Sequence, residues 1–313
     1  LISSRRSSAA VAAAALAGCA SAPLELPPTE PLELTSVPFF PQADYQCGPA
    51  ALATLLAHAG LEVSADDLVE EVYVAGLRGS LQAELLGSTR RHGLVPFVIA
   101  PEPTALLAEL RSGRPVLVLQ NLGIDRVPVW HYAVVVGADG ERIILRSGTE
   151  QRRIESTRRF LRSWQRGSSW AFVVAKPGEI PATAGAATYV RAVAGAEPML
   201  DAAAAERAYA AALARWPGDE VALLGAANQR HAAADLAGAT TLYRQLLAAA
   251  PDHAVARNNL ANVLAERGCR AQALREARIA LASAAPDAPW YAAIRDTLES
   301  IERQTDEAAS TCP

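Results

Sequence analysis

Apolar positions along the chain change period twice. Between residues 48 and 59, Leu52, Leu55 and Leu56 fall on one helical face, and Gly60 supplies a stop signal. Ser64-Ala-Asp-Asp67 has the form of a capping box opening a second short helix, and Ser80 is expected to cap a third that ends near Gly93. The period then shortens. VPFVI at 95–99 and PVLVLQ at 115–120 read as strands, with a helix over PTALLAELRSG between them. WHYAVVVG and ERIILRSG, joined through Asp139-Gly140, predict a β-hairpin over 130–148. A short helix around TRRFLRSW and a strand WAFVVA at 170–175 close the unit. Helices followed by an antiparallel sheet make an α+β domain, bounded here at 37–178. Trp130, Trp164 and Trp170 are expected to fill its sheet–helix interface, and His58 and His92 fall near helix ends, where a cation suits the dipole.

Residues 179–199 carry weak periodicity and read as a linker with at most a partial helix. Beyond them the pattern is helical and repeats: Pro217, Pro251 and Pro286 stand 34 and 35 residues apart. In that register Ala227 matches Ala261 and Ala239 matches Ala273. The period, with small residues where paired helices touch, resembles the tetratricopeptide repeat. Two full repeats are read at 218–251 and 252–286, capped by helices at 201–215 and 287–305, within an all-α domain at 200–306 and a tail at 307–313. Such arrays hold protein or peptide segments on a concave face. The turn that carries Cys269 and the end of the closing helix should meet on one side, which predicts a Cys269–Cys312 disulfide and leaves Cys47 free.

At the other end, SRR at 4–6 precedes a short apolar run that is too short to span a bilayer and fits a signal peptide over 1–18. Leu16-Ala17-Gly18-Cys19 resembles the bacterial lipobox, whose Cys is lipidated; Ala20 after it implies an outer-membrane lipoprotein facing the periplasm. The chain opens on Leu1, so a start upstream is expected. Pro- and Glu-rich residues 19–36 read as a tether from the lipid anchor.

Thiol catalysis needs a thiolate, a base, a group that orients the base, and donors for the oxyanion. Cys47 immediately precedes the first helix, where the dipole is expected to lower a thiol pKa. Gly48 removes bulk where a substrate would approach, and Gln42 can offer its amide beside the Cys47 N–H. His131 opens the hairpin and can take the proton. The order Gln42, Cys47-Gly48-Pro49-Ala50, His131-Tyr132 resembles the C39-like cysteine peptidases, best known for cutting bacteriocin leader peptides. The resemblance covers roughly residues 37–178 and implies a papain-like fold, with Cys47 as nucleophile, His131 as base and acid, and Gln42 as oxyanion donor. That family usually places Asp or Asn where the returning strand faces the His; this chain has Arg146-Ser147-Gly148. Ser147 is the orienter its position suggests, with Asn121 and Asp125 in the preceding loop as alternatives.

The net charge of −4 offers no broad basic field, so no nucleic-acid partner is expected. No metal-ligand spacing or phosphate loop occurs, and no cofactor is implied. The expected function is peptide-bond hydrolysis by Cys–His chemistry on the periplasmic side of the envelope, with a peptide or protein substrate, a protein partner on the repeats, and the membrane reached only through the lipid. Two alternatives share the scaffold: a binding lipoprotein that has lost turnover, and a thiol transferase or amidase.

Overall fold

The computed structural model describes residues 25–42, 44–304 and 312, so the signal peptide and Cys19 lie outside the described residues. In chain order the first unit contains β1 (Leu32–Glu33), α1 (Cys47–His58), α2 (Val69–Val72), α3 (Gln82–Arg91), β2 (Val95–Val98), α4 (Pro103–Arg111), β3 (Val116–Asn121), β4 (Trp130–Ala138), β5 (Arg142–Ser147), β6 (Glu150–Ser156), α5 (Thr157–Arg166) and β7 (Ala171–Ala175). Six strands run in the order β2-β7-β3-β4-β5-β6, and β1 adds to β4; every pairing is antiparallel. Both faces of the sheet are covered. Leu52, Leu55 and Leu56 of α1, with Val72 and Leu85, pack on Leu117, Val134 and Phe172. Leu106 and Leu110 of α4, with Phe160 and Trp164 of α5, pack on Val118, Ala133 and Val135. A strand covered on both faces reads as a continuous apolar run, which is why β3 is buried throughout.

Several boundaries differ from the sequence reading, each for a physical reason. The tether expected over 19–36 enters the fold before Val37. Leu32 and Glu33 pair with Ala138 and Gly137, and the buried Arg146 guanidinium donates to the carbonyl of Val37. β6, EQRRIES, has no apolar alternation to betray it. It is an edge strand whose charges face water and one another, as Arg153 does with Glu150 and Glu155. The third helix is N-capped by Leu81, not Ser80, whose hydroxyl is buried with no hydrogen-bond partner.

The second unit is a run of helices: α6 (Ala186–Ala196), α7 (Ala202–Arg215), α8 (Glu220–Ala232), α9 (Leu236–Ala249), α10 (Ala254–Glu266), α11 (Arg270–Ser283) and α12 (Tyr291–Arg303). The linker expected at 179–199 is therefore mostly helix. α6, α8 and α10 start 34 residues apart, and so do α7, α9 and α11. The pair read as linker plus cap is thus a third hairpin in the same register. Its Ala205, Tyr209 and Ala212 are buried, as are Ala239, Tyr243 and Leu246 one period later. Small residues allow the close approach: a side chain at Gly225 would run into the Tyr209 ring. Asp201, Asp219 and Asp235 each cap their helix by accepting from the backbone N–H three residues on. Cys269 and Cys312 are joined by a disulfide, with Cα atoms 5.5 Å apart across 43 residues of sequence. Among the described residues no helix is long and apolar enough to cross a membrane.

Candidate functional site

Cys47 is the free thiol among the described cysteines, and it begins α1 just after Gln46. The backbone N–H groups of Tyr132, Gly48 and Cys47 itself lie on the side of the sulfur and favour its ionised form. Cys47 and Tyr132 line the same cleft, and Tyr132 directly follows His131 on β4. The first turn of the helix and the open end of the hairpin strand therefore meet there. Gly48 serves a different purpose from the one expected of it. A Cβ there would collide with the Ser80 side chain, so the missing bulk admits the 78–80 loop rather than a substrate.

His131 Nε2 lies 2.8 Å from Ser147 Oγ, within hydrogen-bond distance. A register shift between Val135 and Gly137 leaves the ladder last pairing Val134 with Arg146, so Ser147 reaches the ring from a diagonal position. The two alternatives are placed elsewhere. Asn121 Oδ1 accepts the N–H groups of Gly123 and Val129 and so ties up the loop before β4. Asp125 is exposed in the turn bridged by Ile124 and Val127. Gln42 is anchored by its backbone N–H to the carbonyl of Gly148, beside Ser147.

Gln42, Cys47, His131 and Tyr132 all line one open cleft of about 790 Å³. One wall is the loop from Leu77 to Gln82, and the other runs through Leu119, Leu122, Val129 and Trp130 to Gly167 and Ser168. Trp164 is fully buried against Phe160 and Trp170 packs beside Tyr132 and Phe172, but Trp130 is 55% exposed on the cleft wall rather than in the interface. Among the described residues five non-glycine positions have left-handed backbone, and three of them, Tyr45, Arg78 and Ser168, line this cleft. Such conformations carry a cost and concentrate where a site needs them.

The electrostatics reverse one expectation. Burial pushes the Cys47 thiol above its usual value, and the N–H groups of Tyr132 on β4 and of Gly48 and Cys47 at the helix start reduce that effect without overturning it. Burial, helped by the Arg153 guanidinium and opposed by Glu155, lowers His131 from 6.5 to about 4. Both shifts favour the uncharged form, the thiol at Cys47 and the neutral imidazole at His131. Arg153 and Glu155 sit on β6, the strand the apolar pattern does not reveal, which is why sequence reasoning missed their influence. No group of three or more His, Cys, Asp or Glu residues that could hold a metal occurs among the described residues.

No family model matches the chain, and no curated protein matches it. Among solved structures it is similar to a putative C39-like peptidase from Bacillus anthracis, at 19% identity over 47% of this chain and 98% of that one, with a TM-score of 0.41. It is also similar to the peptidase domain of Streptococcus ComA, a bi-functional ABC transporter involved in a quorum-sensing pathway, at 22% identity over 44% and 98% of the two chains, TM-score 0.38. A third is a double-glycine-motif protease from an AMS/PCAT transporter in complex with its leader peptide, at 19% identity over 47% and 97%, TM-score 0.35.

Proposed function

We propose that the sheet unit is a cysteine-type peptidase of the C39-like, papain-like kind. The observation that carries this reading is that Cys47 at the start of α1, His131 at the open end of β4 and Gln42 all line one cleft, with Ser147 at hydrogen-bond distance from the imidazole. Cys47 attacks a peptide carbonyl as His131 takes the thiol proton, so charge develops only as the carbon–sulfur bond forms. In this reading Nε2 carries the hydrogen and donates it to Ser147 Oγ, 2.8 Å away, so that Nδ1 is the lone pair that receives the thiol proton. Gln42 and the Cys47 N–H stabilise the tetrahedral oxyanion. His131 returns the proton to the leaving amine, and water, activated by the same ring, then cleaves the thioester.

The same site supports a second reading, a peptidase fold kept for binding. Ser147 lacks the charge that would stabilise imidazolium, and the thiol is not pre-ionised. A thiol transferase or amidase would share the attack and differ in the acceptor. Incubation of the full chain with a mixed peptide pool, read by mass spectrometry, decides between them. Hydrolysis by the wild type, reduced at least about a thousandfold in both Cys47→Ala and His131→Ala, is expected. Peptide binding without hydrolysis favours the binding reading, and products joined to an added amine or thiol favour transfer.

The cell-envelope assignment belongs to this proposal. Lipidation at Cys19 would tether the enzyme to the outer membrane facing the periplasm, and the Cys269–Cys312 disulfide supports an oxidising compartment. The 34-residue helical period supports reading α6 to α12 as tetratricopeptide repeats that hold a substrate or partner protein.

A further inference from the structure

The charge in the cleft is as uneven as its backbone. Of the described residues that line it, Arg78 alone carries a formal charge at neutral pH, because His131 is held neutral. No acidic side chain lines it, and the walls around Arg78 are apolar: Leu77, Leu81, Leu122, Val129 and Trp130 are all exposed there. Some arginines of the same unit are neutralised, Arg91 by Glu71, Arg142 by Asp139 and Arg152 by Glu33, and others, among the described residues, are not; what sets Arg78 apart is its place on the cleft wall. Arg78 has no ion pair among the described residues. Its guanidinium carbon instead lies 5.7 Å from the centre of the Tyr45 ring. Both partners stand on left-handed backbone, Arg78 at φ 48 and Tyr45 at φ 63. Tyr45 is two residues before Cys47, and Arg78 two before the Ser80 side chain that abuts Gly48. Two strained loops thus converge at the start of α1 and hold one unneutralised guanidinium over an aromatic face at the cleft wall.

We propose that Arg78 is a specificity-determining residue that binds a carboxylate of the substrate, so that the cleft takes an apolar peptide segment carrying one acidic group. The proposal rests on the peptidase reading for the identity of the occupant as a peptide. A guanidinium offers a planar pair of N–H donors that match a carboxylate, and an apolar segment seated on the exposed walls would shield the exposed Arg78 from water. Tyr45 keeps the fork in place before the ligand arrives, which lowers the entropy lost on binding. The chain as a whole carries a net charge of −4, so any preference for acidic peptides is local to the cleft rather than a property of the overall field.

The test uses the full chain with Cys47→Ala, so that binding is read without turnover. A pool of apolar octapeptides is offered in which one position is Glu, Gln or Lys and the C-terminus is either acid or amide; bound peptides are quantified by mass spectrometry. Glu over Gln, or free acid over amide, is expected to be enriched about five- to tenfold, and whichever contrast responds identifies the source of the carboxylate. Adding Arg78→Gln should bring that ratio to about one, and Arg78→Glu should turn the preference towards Lys. Equal capture of acidic and neutral peptides, or an enrichment that survives Arg78→Glu, overturns the proposal. Hydrolysis of the neutral peptides by the wild type is read in parallel. Hydrolysis without carboxylate preference removes only the role of Arg78, and carboxylate preference without hydrolysis removes only the peptidase reading.

Discussion

The two halves of this chain store information differently. In the helical half the elements repeat: three hairpins keep a 34-residue period, Asp201 and Asp235 cap equivalent helices, small contact residues recur, and Tyr209 and Tyr243 occupy equivalent buried places. It carries ordinary ion pairs, the part-buried Arg257–Glu276 and the exposed Arg278–Glu302 among them. The sheet half is regular only in its core. Near Cys47 it departs from regularity, with three left-handed non-glycine residues, a buried Ser80 hydroxyl without a partner, exposed apolar walls and an unneutralised guanidinium. Natural sequences violate local rules mainly where function requires it, so the contrast itself points to the cleft.

Removing the disulfide should separate the halves most strongly. Cys312→Ser opens a covalent loop spanning 43 residues of sequence and should destabilise the helical half by roughly 2–4 kcal/mol while leaving the sheet half untouched. Hydrogen exchange resolved by peptide reads both at once: faster exchange should appear in α10 to α12 and not in β3 or β4. Uniform loosening would mean that the two halves unfold as one.

Acid should act on the other half. His131 is held at about 4 in the folded protein against 6.5 when unfolded, so between those values the unfolded chain binds the extra proton. This contribution is complete above pH 6.5 and is lost as the pH falls through 4, amounting to about 3 kcal/mol. Urea titrations of the wild type and His131→Gln at pH 7 and pH 4 measure it, and the substitution should flatten the pH dependence. An unchanged slope would place the imidazole in a wetter setting than the structure gives it.

The smallest effect sharpens the site alone. Ser147→Asp places a carboxylate where a neutral hydroxyl now meets His131, which should favour imidazolium and raise the hydrolysis rate about tenfold near pH 7. Ser147→Ala should lower it by a similar factor. Steady-state rates on one cleaved peptide decide both, and no response to either would mean that Ser147 does not orient the ring.

This division also explains what the sequence made legible. β3 and β4 could be read because sheet strands covered on both faces leave continuous apolar runs, and α1 because Leu52, Leu55 and Leu56 share a face. The proline period revealed two hairpins; the first, α6–α7, escaped because position 183, one period before Pro217, is Thr. β6 escaped because edge strands are specified by charge and pairing rather than by burial. At the site, the Asp139–Gly140 turn put Ser147 near His131, but residue spacing could not show the register shift that makes the contact diagonal. Nor could it show that burial outweighs the helix start at Cys47, since desolvation depends on every element packed around the thiol. The 77–82 wall left only a faint signal, Arg78 between Gly76 and Gly79.

The central claim is that Cys47 rests as a neutral thiol and is ionised by His131 only during attack. Its most direct test is the pH dependence of Cys47 alkylation by iodoacetamide in the full chain and in His131→Ala, followed by mass spectrometry. The account predicts a single rise in rate centred above the ordinary thiol range, nearly the same in both proteins. A plateau of fast labelling between pH 4 and 7 that disappears in His131→Ala would reveal a preformed thiolate–imidazolium pair and contradict it.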